Sequence, residues 1–404
     1  MSRLKYALIG YGRRGRGHLA TIAAMKDSFE VVAVCDAHPQ SAAEGATRLG
    51  VKAYTDVREL VANEELDVCD VVVPAELHHV VSCYLSCHGI HHNVETPLAP
   101  TLGLMDLMIE TAAKHGVKLQ TSENFPFLPV EQFVCKLIRS SVIGPVHKCY
   151  RLFSTTGYHG LAAIRCRMDA RPIAVSSVGH TMPVVPYVDG AKRNFNMEGL
   201  EFYVIDFDNG SLAIAMVGNK NGCLGRNKLV GFETCGERGT IVTNGNQGAS
   251  GGETVNVCTD EDIAERAGRA RTYEFKREYT ASKSLKRIWV ELPESLGGVI
   301  EWTNPYQHTA IPEGNVSLAT ILDGIAIAVR EDISPLWPGE NGRADQEMIL
   351  AACRSIQANR QPIALPLPPD PFEEEAFDRN FEQQFGVHPR ADLEKVLSVN
   401  FKTR

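Results

Sequence analysis

The chain has 404 residues, 44% hydrophobic and 22% charged, which at roughly 100–200 residues per domain gives two or three domains with ample core. A formal net charge of −8 without a dense basic run argues against a nucleic-acid surface, and no stretch approaches the ~18 apolar residues of a membrane helix. Eleven scattered cysteines read as thiols of a reducing compartment rather than a disulfide framework, and Met1–Lys5 lacks the marks of a signal peptide, so a cytoplasmic protein with no membrane partner is expected.

The first third alternates strand and helix patterns. Strands are predicted at Leu4–Ile9, Glu30–Cys35, Val51–Tyr54, Val68–Val73, a run ending at Asn93–Val94, and Val117–Gln120. Helices are predicted at Gly15–Met25, Pro39–Leu49, Leu77–His88 and Leu102–Lys114. This alternation indicates βαβ units and a parallel sheet covered on both faces. After about residue 125 a helix is predicted over Pro129–Ser140. Extended segments then dominate: Val146–Ser154, Leu200–Asp206, Ser211–Met216, Lys228–Thr234 and Gly239–Thr243, punctuated by hairpin signals such as Asp208-Asn209-Gly210. Gly245–Leu292 reads as a long polar excursion. Two late helices, Ser317–Arg330 and Arg343–Asn359, precede a proline-rich stretch and a charged tail from Phe372 expected on the surface. The predicted fold class is α/β. A doubly wound Rossmann domain occupies residues 1–125, and an α+β domain with a large open, mostly antiparallel sheet occupies 126–404.

Gly10-Tyr11-Gly12-Arg13-Arg14-Gly15 follows the first strand and opens the first helix. In a GxGxxG turn the first glycine permits the tight bend, the second lets backbone approach a pyrophosphate, and the third lets helix pack on strand. The helix N-terminus supplies free N–H groups. The second strand ends in Asp36, about 20 residues on, where the fingerprint places an acid for the ribose hydroxyls. A carboxylate there repels a 2′-phosphate, so NAD is favoured over NADP, with Arg13 and Arg14 the residues that oppose this preference.

The order of motifs resembles the glucose-fructose oxidoreductase, inositol dehydrogenase and rhizopine-catabolism (Gfo/Idh/MocA) family. The resemblance runs from Leu4 to about Leu367. After the glycine turn it is carried by Val71-Val72-Val73-Pro74 with Leu77-His78, by Val94-Glu95-Thr96-Pro97-Leu98-Ala99, and by Leu137-Ile138 with Ile143-Gly144-Pro145-Val146. It continues in Gly179-His180, Asp345-Gln346-Glu347 and Gln361-Pro362-Ile363. It implies nicotinamide and substrate meeting at a cleft between the domains, with Pro74, His78, Glu95, Pro97 and Asn124 beside the cofactor, sugar or polyol substrates, and a homodimer or homotetramer. Two departures stand out. Thr96 replaces the family's lysine in Glu-Lys-Pro, and Ser176 replaces an aspartate four residues before the histidine.

Oxidising an alcohol with NAD needs a group that takes the hydroxyl proton, and histidine has a suitable pKa unaided. The resemblance makes His180 the leading candidate. Tyr158 and His159, between Gly157 and Gly160, read as polar loop residues able to hold substrate, with Arg165 beyond them and Thr96 a hydrogen-bonding neighbour. Asp189, Lys192, Tyr306 and His308 are weaker site candidates. Cys83, Cys87, His88, His91 and His92 lack a closed tetrahedral spacing, so no metal site is expected. The expected function is an NAD-dependent dehydrogenase or reductase of a sugar, glycoside or cyclitol. The alternatives are a redox-assisted glycoside lyase or glycosidase with tightly held NAD, and a non-catalytic NAD(P)-binding regulator.

Overall fold

The computed structural model describes residues 2–154, 157–188, 194–218, 231–244, 252–265, 269–281 and 283–399. The N-terminal part runs β1 (Leu4–Ile9), α1 (Arg13–Ile22), β2 (Phe29–Cys35), α2 (Pro39–Leu49), β3 (Lys52–Tyr54), α3 (Val57–Asn63), β4 (Val68–Val71), α4 (His78–Cys87), β5 (His91–Val94), α5 (Leu102–Lys114) and β6 (Leu119–Thr121). All six strands are parallel, in the order β3-β2-β1-β4-β5-β6. The chain reverses its winding between β1 and β4, and ligands of doubly wound sheets bind in that crevice. Helix α3 went unread in the sequence.

The second part begins with α6 (Pro129–Arg139), β7 (Val146–Ser154), α7 (Gly157–Met168), β8 (Pro172–Val188), β9 (Asn194–Phe207), β10 (Leu212–Gly218), β11 (Gly231–Gly236), β12 (Gly239–Asn244), β13 (Thr254–Val257), α8 (Asp260–Ala264) and β14 (Arg271–Glu274). It continues through β15 (Lys276–Tyr279), β16 (Leu285–Glu291), β17 (Val299–Thr303), α9 (Val316–Glu331), α10 (Gly339–Gln357), β18 (Ile363–Ala364), α11 (Pro371–Phe385) and α12 (Leu393–Leu397). Nine strands form one sheet, β14-β13-β12-β11-β7-β10-β9-β8-β18, antiparallel except for the β7–β10 pair. The expected polar excursion is therefore structured: its described residues supply β13 and β14 to this sheet and β15 and β16 to a separate three-stranded one. The Lys228–Val230 part of one predicted strand lies outside the described residues.

Helices α7 and α10 cover one face of the large sheet. Packing is close enough that a Cβ on Gly179 would stand 2.7 Å from Ile356. Inside this layer Arg167, fully buried, donates two parallel bonds to Glu131 (2.9 and 2.8 Å) and further bonds to Thr234 and Thr243. The charged tail, expected on the surface, is anchored there by apolar side chains. Phe381 and Val396 are buried with Leu77 and Val80 of the first part, so α11 and α12 dock on α4.

Candidate active site

The glycine turn is built as its spacing requires. Gly10 has φ +100°, and a Cβ there would lie 2.3 Å from the Val72 carbonyl oxygen. A Cβ on Gly15 would lie 2.0 Å from the Gly10 carbonyl oxygen. Around Gly12, by contrast, nothing lies within 4 Å of an added Cβ, and no side chain caps α1 at this residue. Open space at the second glycine, facing the uncapped start of a helix, fits a diphosphate. Asp36 is fixed at the end of β2 by accepting bonds from the backbone N–H groups of Tyr11 (2.7 Å) and His38 (2.8 Å).

Two cavities flank this turn. One, of about 430 Å³, is lined by Gly10, Gly12, Asp36, Pro74 and Arg58 among others. The other, a cleft of about 810 Å³, opens from Arg13 and Arg14 and is lined by Glu95, Thr96, Asn124, Tyr158, His159 and Ser317 among others. An elongated ligand lying across the turn reaches both, as a dinucleotide does, so the residues present fit NAD.

At the cleft, Glu95 accepts from Arg14 Nε (2.5 Å), from its neighbour's backbone at Thr96 N (2.9 Å) and from His18 Nε2 (2.8 Å). His18 is fully buried, and its Nδ1 meets Asp70 at 2.6 Å. Asp70 also accepts from Tyr6 Oη and Asn93 Nδ2. Burial disfavours the imidazolium, yet Asp70 and Glu95 outweigh it and pull the His18 pKa up to about 9. Burial likewise opposes ionisation of Glu95, but His18 and Arg14 hold its carboxyl well below the usual carboxylate range. Alternating charges thus run Asp70, His18, Glu95, Arg14 from the sheet interior to the cleft.

Across the cleft, His159 Nδ1 bonds both carboxylate oxygens of Glu123 (2.8 and 2.7 Å), and its ring stacks on Phe125. Glu123 is 1% exposed. A carboxylate on one ring nitrogen orients the imidazole and directs the other nitrogen outward. Burial raises the Tyr158 phenol, partly offset by a hydrogen bond with Thr96. Tyr158, His159 and Thr96, separate in sequence, line the same cleft.

Several expectations are corrected. Tyr158 and His159 stand in the first turn of helix α7, not in a loop. His180 is exposed on β8, opposite Leu200 of β9. Side chains alternate along a strand; Gly179 faces α10, so His180 points to the outer face of the sheet, away from the cleft. His78 is buried with its ring nitrogens against the carbonyls of Val73 (2.9 Å) and Pro97 (3.0 Å), a clasp between loops rather than a cofactor ligand. Pro97 follows Glu95 and Thr96 without lining either cavity. The Tyr11 ring is buried, and only its backbone serves the turn, through Asp36. Arg165 bonds Asp345 (2.8 Å) and Asn341 and faces a separate open hollow. Tyr306 and His308 do not line the cleft, and Asp189 and Lys192 lie outside the described residues. His92 is engaged by Ser82 and the Ile90 carbonyl, and His88 by the Tyr84 carbonyl. Glu123 and His18 were missed, although His18 is four residues from Arg14 and so on the same helical face.

The profile of an oxidoreductase family with an NAD-binding Rossmann fold, Gfo/Idh/MocA, matches residues 4–123. The match is confined to the Rossmann domain, which is similar to that of this family. It is 30% identical over 145 residues to a D-apiose dehydrogenase of Paraburkholderia graminis, covering 36% of this chain and 38% of that protein. It is 29% identical over 154 residues to glycosyl hydrolase family 109 protein 2 of Akkermansia muciniphila, covering 36% and 32%. The matched stretch therefore spans only about a third of either relative. In fold the likeness reaches further. An NAD-binding oxidoreductase from Klebsiella pneumoniae superposes with TM-score 0.68 at 19% identity, covering 91% of this chain and all of that one. A levoglucosan dehydrogenase in complex with NADH and levoglucosan superposes with TM-score 0.67 at 22% identity over the same shares. Among the described residues no helix is long and apolar enough to cross a membrane, and the ten cysteines among them are free.

Proposed function

We propose that this chain is an NAD-dependent oxidoreductase of the Gfo/Idh/MocA family acting on a CH–OH carbon of a sugar, glycoside or cyclitol. The observation that carries the reading is the cleft that begins at the glycine turn and holds, on facing walls, the Arg14–Glu95 pair and the Glu123–His159 pair. NAD, when bound, supplies the hydride acceptor. His159, oriented by Glu123, takes the proton of the substrate hydroxyl through the nitrogen facing the cleft. This assigns to His159 the proton transfer that the sequence put on His180. Arg14 supplies a fixed positive charge beside Thr96, where the family's lysine would stand. A guanidinium cannot give up its proton, so it stabilises developing negative charge on the substrate oxygen without relaying protons. Thr96 and Tyr158 are placed to hold substrate hydroxyls, and Asn124, bonded to Ser317 (3.3 Å), borders the same space.

The dehydrogenase relative supports carbohydrate or polyol substrates. The relative named a glycosyl hydrolase supports a second reading, in which oxidation at one sugar carbon is transient and a glycosidic bond is cleaved with NAD regenerated. Free cysteines support a cytoplasmic location. Half-buried Leu200, Phe202, Val204, Ile214 and Met216, which share the sheet face that His180 takes, support pairing of copies as a homodimer or homotetramer, readable by light scattering. The deciding experiment titrates the purified chain with NADH by fluorescence, then supplies NAD with sugars, cyclitols and aryl glycosides. Accumulating NADH supports the dehydrogenase; glycoside cleavage without net NADH supports the second reading. NADH binding without turnover on any of them leaves the non-catalytic regulator.

A further inference from the structure

We propose that residues 393–399 are part of the dinucleotide site and form the outer wall of its adenosine end. The proposal rests on the NAD reading above. The cavity of about 430 Å³ beside the glycine turn is lined on one side by Asp36, Thr55 and Arg58, and on another by Leu397 and Val399. These two side chains come from the far end of the described chain, beyond residues 4–123 that the family profile matches.

Their position is built, not incidental. Val396, next in line, is fully buried with Leu77, Val80 and Phe381. Phe377 and Phe381 set their rings edge-on to His79, whose Nε2 reaches the Pro389 carbonyl at 3.1 Å. Glu374 accepts from Thr101 Oγ1 (2.7 Å) and Gly103 N (2.8 Å) at the start of α5. Arg58, which lines the cavity, is forked on Asp56 and reaches Glu394 at 3.7 Å. While Val396 anchors the segment, Leu397 and Val399 stay only half-buried and face the cavity. Two apolar side chains opposite Asp36 suit a flat heteroaromatic ring whose attached ribose offers hydroxyls to the carboxylate. The nicotinamide end belongs to the other cavity, the one lined by Glu95 and Thr96, where neither Leu397 nor Val399 contributes. The segment therefore serves the adenosine half of the ligand alone.

The test compares the full chain, a chain ending at Ala391, and the double variant Leu397→Ser/Val399→Ser, each titrated with NADH, ADP-ribose and reduced nicotinamide mononucleotide. NADH and ADP-ribose are expected to bind about tenfold more weakly to both altered chains, as apolar surface is lost from the site. The mononucleotide, lacking adenosine, is expected to bind all three alike. Equal affinities of all three chains for NADH and ADP-ribose overturn the proposal. So does an equal loss for the mononucleotide, which marks a general loosening of the fold. The double variant leaves Val396 in place, so it decides if the shortened chain does not fold. If the full chain binds none of the ligands, the NAD reading itself falls and this proposal with it.

Discussion

Arg14 meets Glu95 at 2.5 Å from the cleft side while His18 meets the same carboxylate oxygen at 2.8 Å from beneath. The carboxylate is thereby neutralised twice, and the guanidinium, about half exposed, keeps a donor edge toward substrate. Replacing Arg14 by alanine is expected to lower kcat by roughly 10²-fold, the loss typical of one preorganised electrostatic donor. Arg14→Lys should recover part of it. Steady-state kinetics on the identified substrate checks this, and an unchanged kcat in Arg14→Ala removes Arg14 from the chemistry.

His159 and Glu123 should behave as one unit. His159→Asn is expected to cost about 10²–10⁴-fold in kcat, the usual worth of a positioned proton acceptor. Glu123→Gln should cost less, because the amide oxygen can still accept from the ring and so keeps part of its orientation. NADH affinity should change little in either. His180→Ala is expected to turn over at the normal rate; a collapse in that variant would return the proton to His180.

The glycines of the turn should separate fold from ligand. Gly12→Val has room for its side chain and should fold normally, yet bind NADH at least ~30-fold more weakly by blocking the diphosphate's approach. Gly15→Ala drives a Cβ against the Gly10 carbonyl oxygen and should lower the thermal midpoint instead. Asp36→Ser should weaken NAD by about 1.5–3 kcal/mol, the range for hydrogen bonds to a charged group, and bring NADP affinity level with it. Calorimetric titrations paired with melting curves read all three.

Stability should fall as pH rises from neutral. The folded pKa of His18, about 9, exceeds its unfolded value near 6.5. The folded state therefore holds the extra proton, and stability from this group is complete below about pH 6.5 and lost by about pH 9. The difference is on the order of 3 kcal/mol. Urea midpoints measured across that range should fall in the natural chain, whereas His18→Gln, less stable throughout, should show a flatter profile.

What was legible in the sequence was what local geometry dictates. The glycine turn, Asp36 and the parallel strands are set by short-range sterics and hydropathy, and the fold follows them. Gly157 and Gly160 looked like loop residues, but they serve a helix. A Cβ on Gly160 would overlap the Arg151 guanidinium, and one on Gly157 would stand 3.2 Å from Ile349. Such long-range crowding leaves no local mark. The same holds for Glu123, which meets His159 only because α7 docks beside the end of β6. His180 was misplaced because motif order does not say which face of β8 a side chain takes. The tail was readable in part: Phe377, Phe381 and Phe385 recur every four residues, one apolar stripe among the charges.

Helix α12 rests on α3 and α4 of the Rossmann domain. During synthesis, those helices leave the ribosome long before the segment that covers them. The nascent first domain must therefore stand with an open flank while the whole large sheet is made, and its nucleotide cavity is finished last. Such distant pairing slows assembly, so recovery of full cofactor affinity should trail recovery of secondary structure when the unfolded chain is diluted from denaturant.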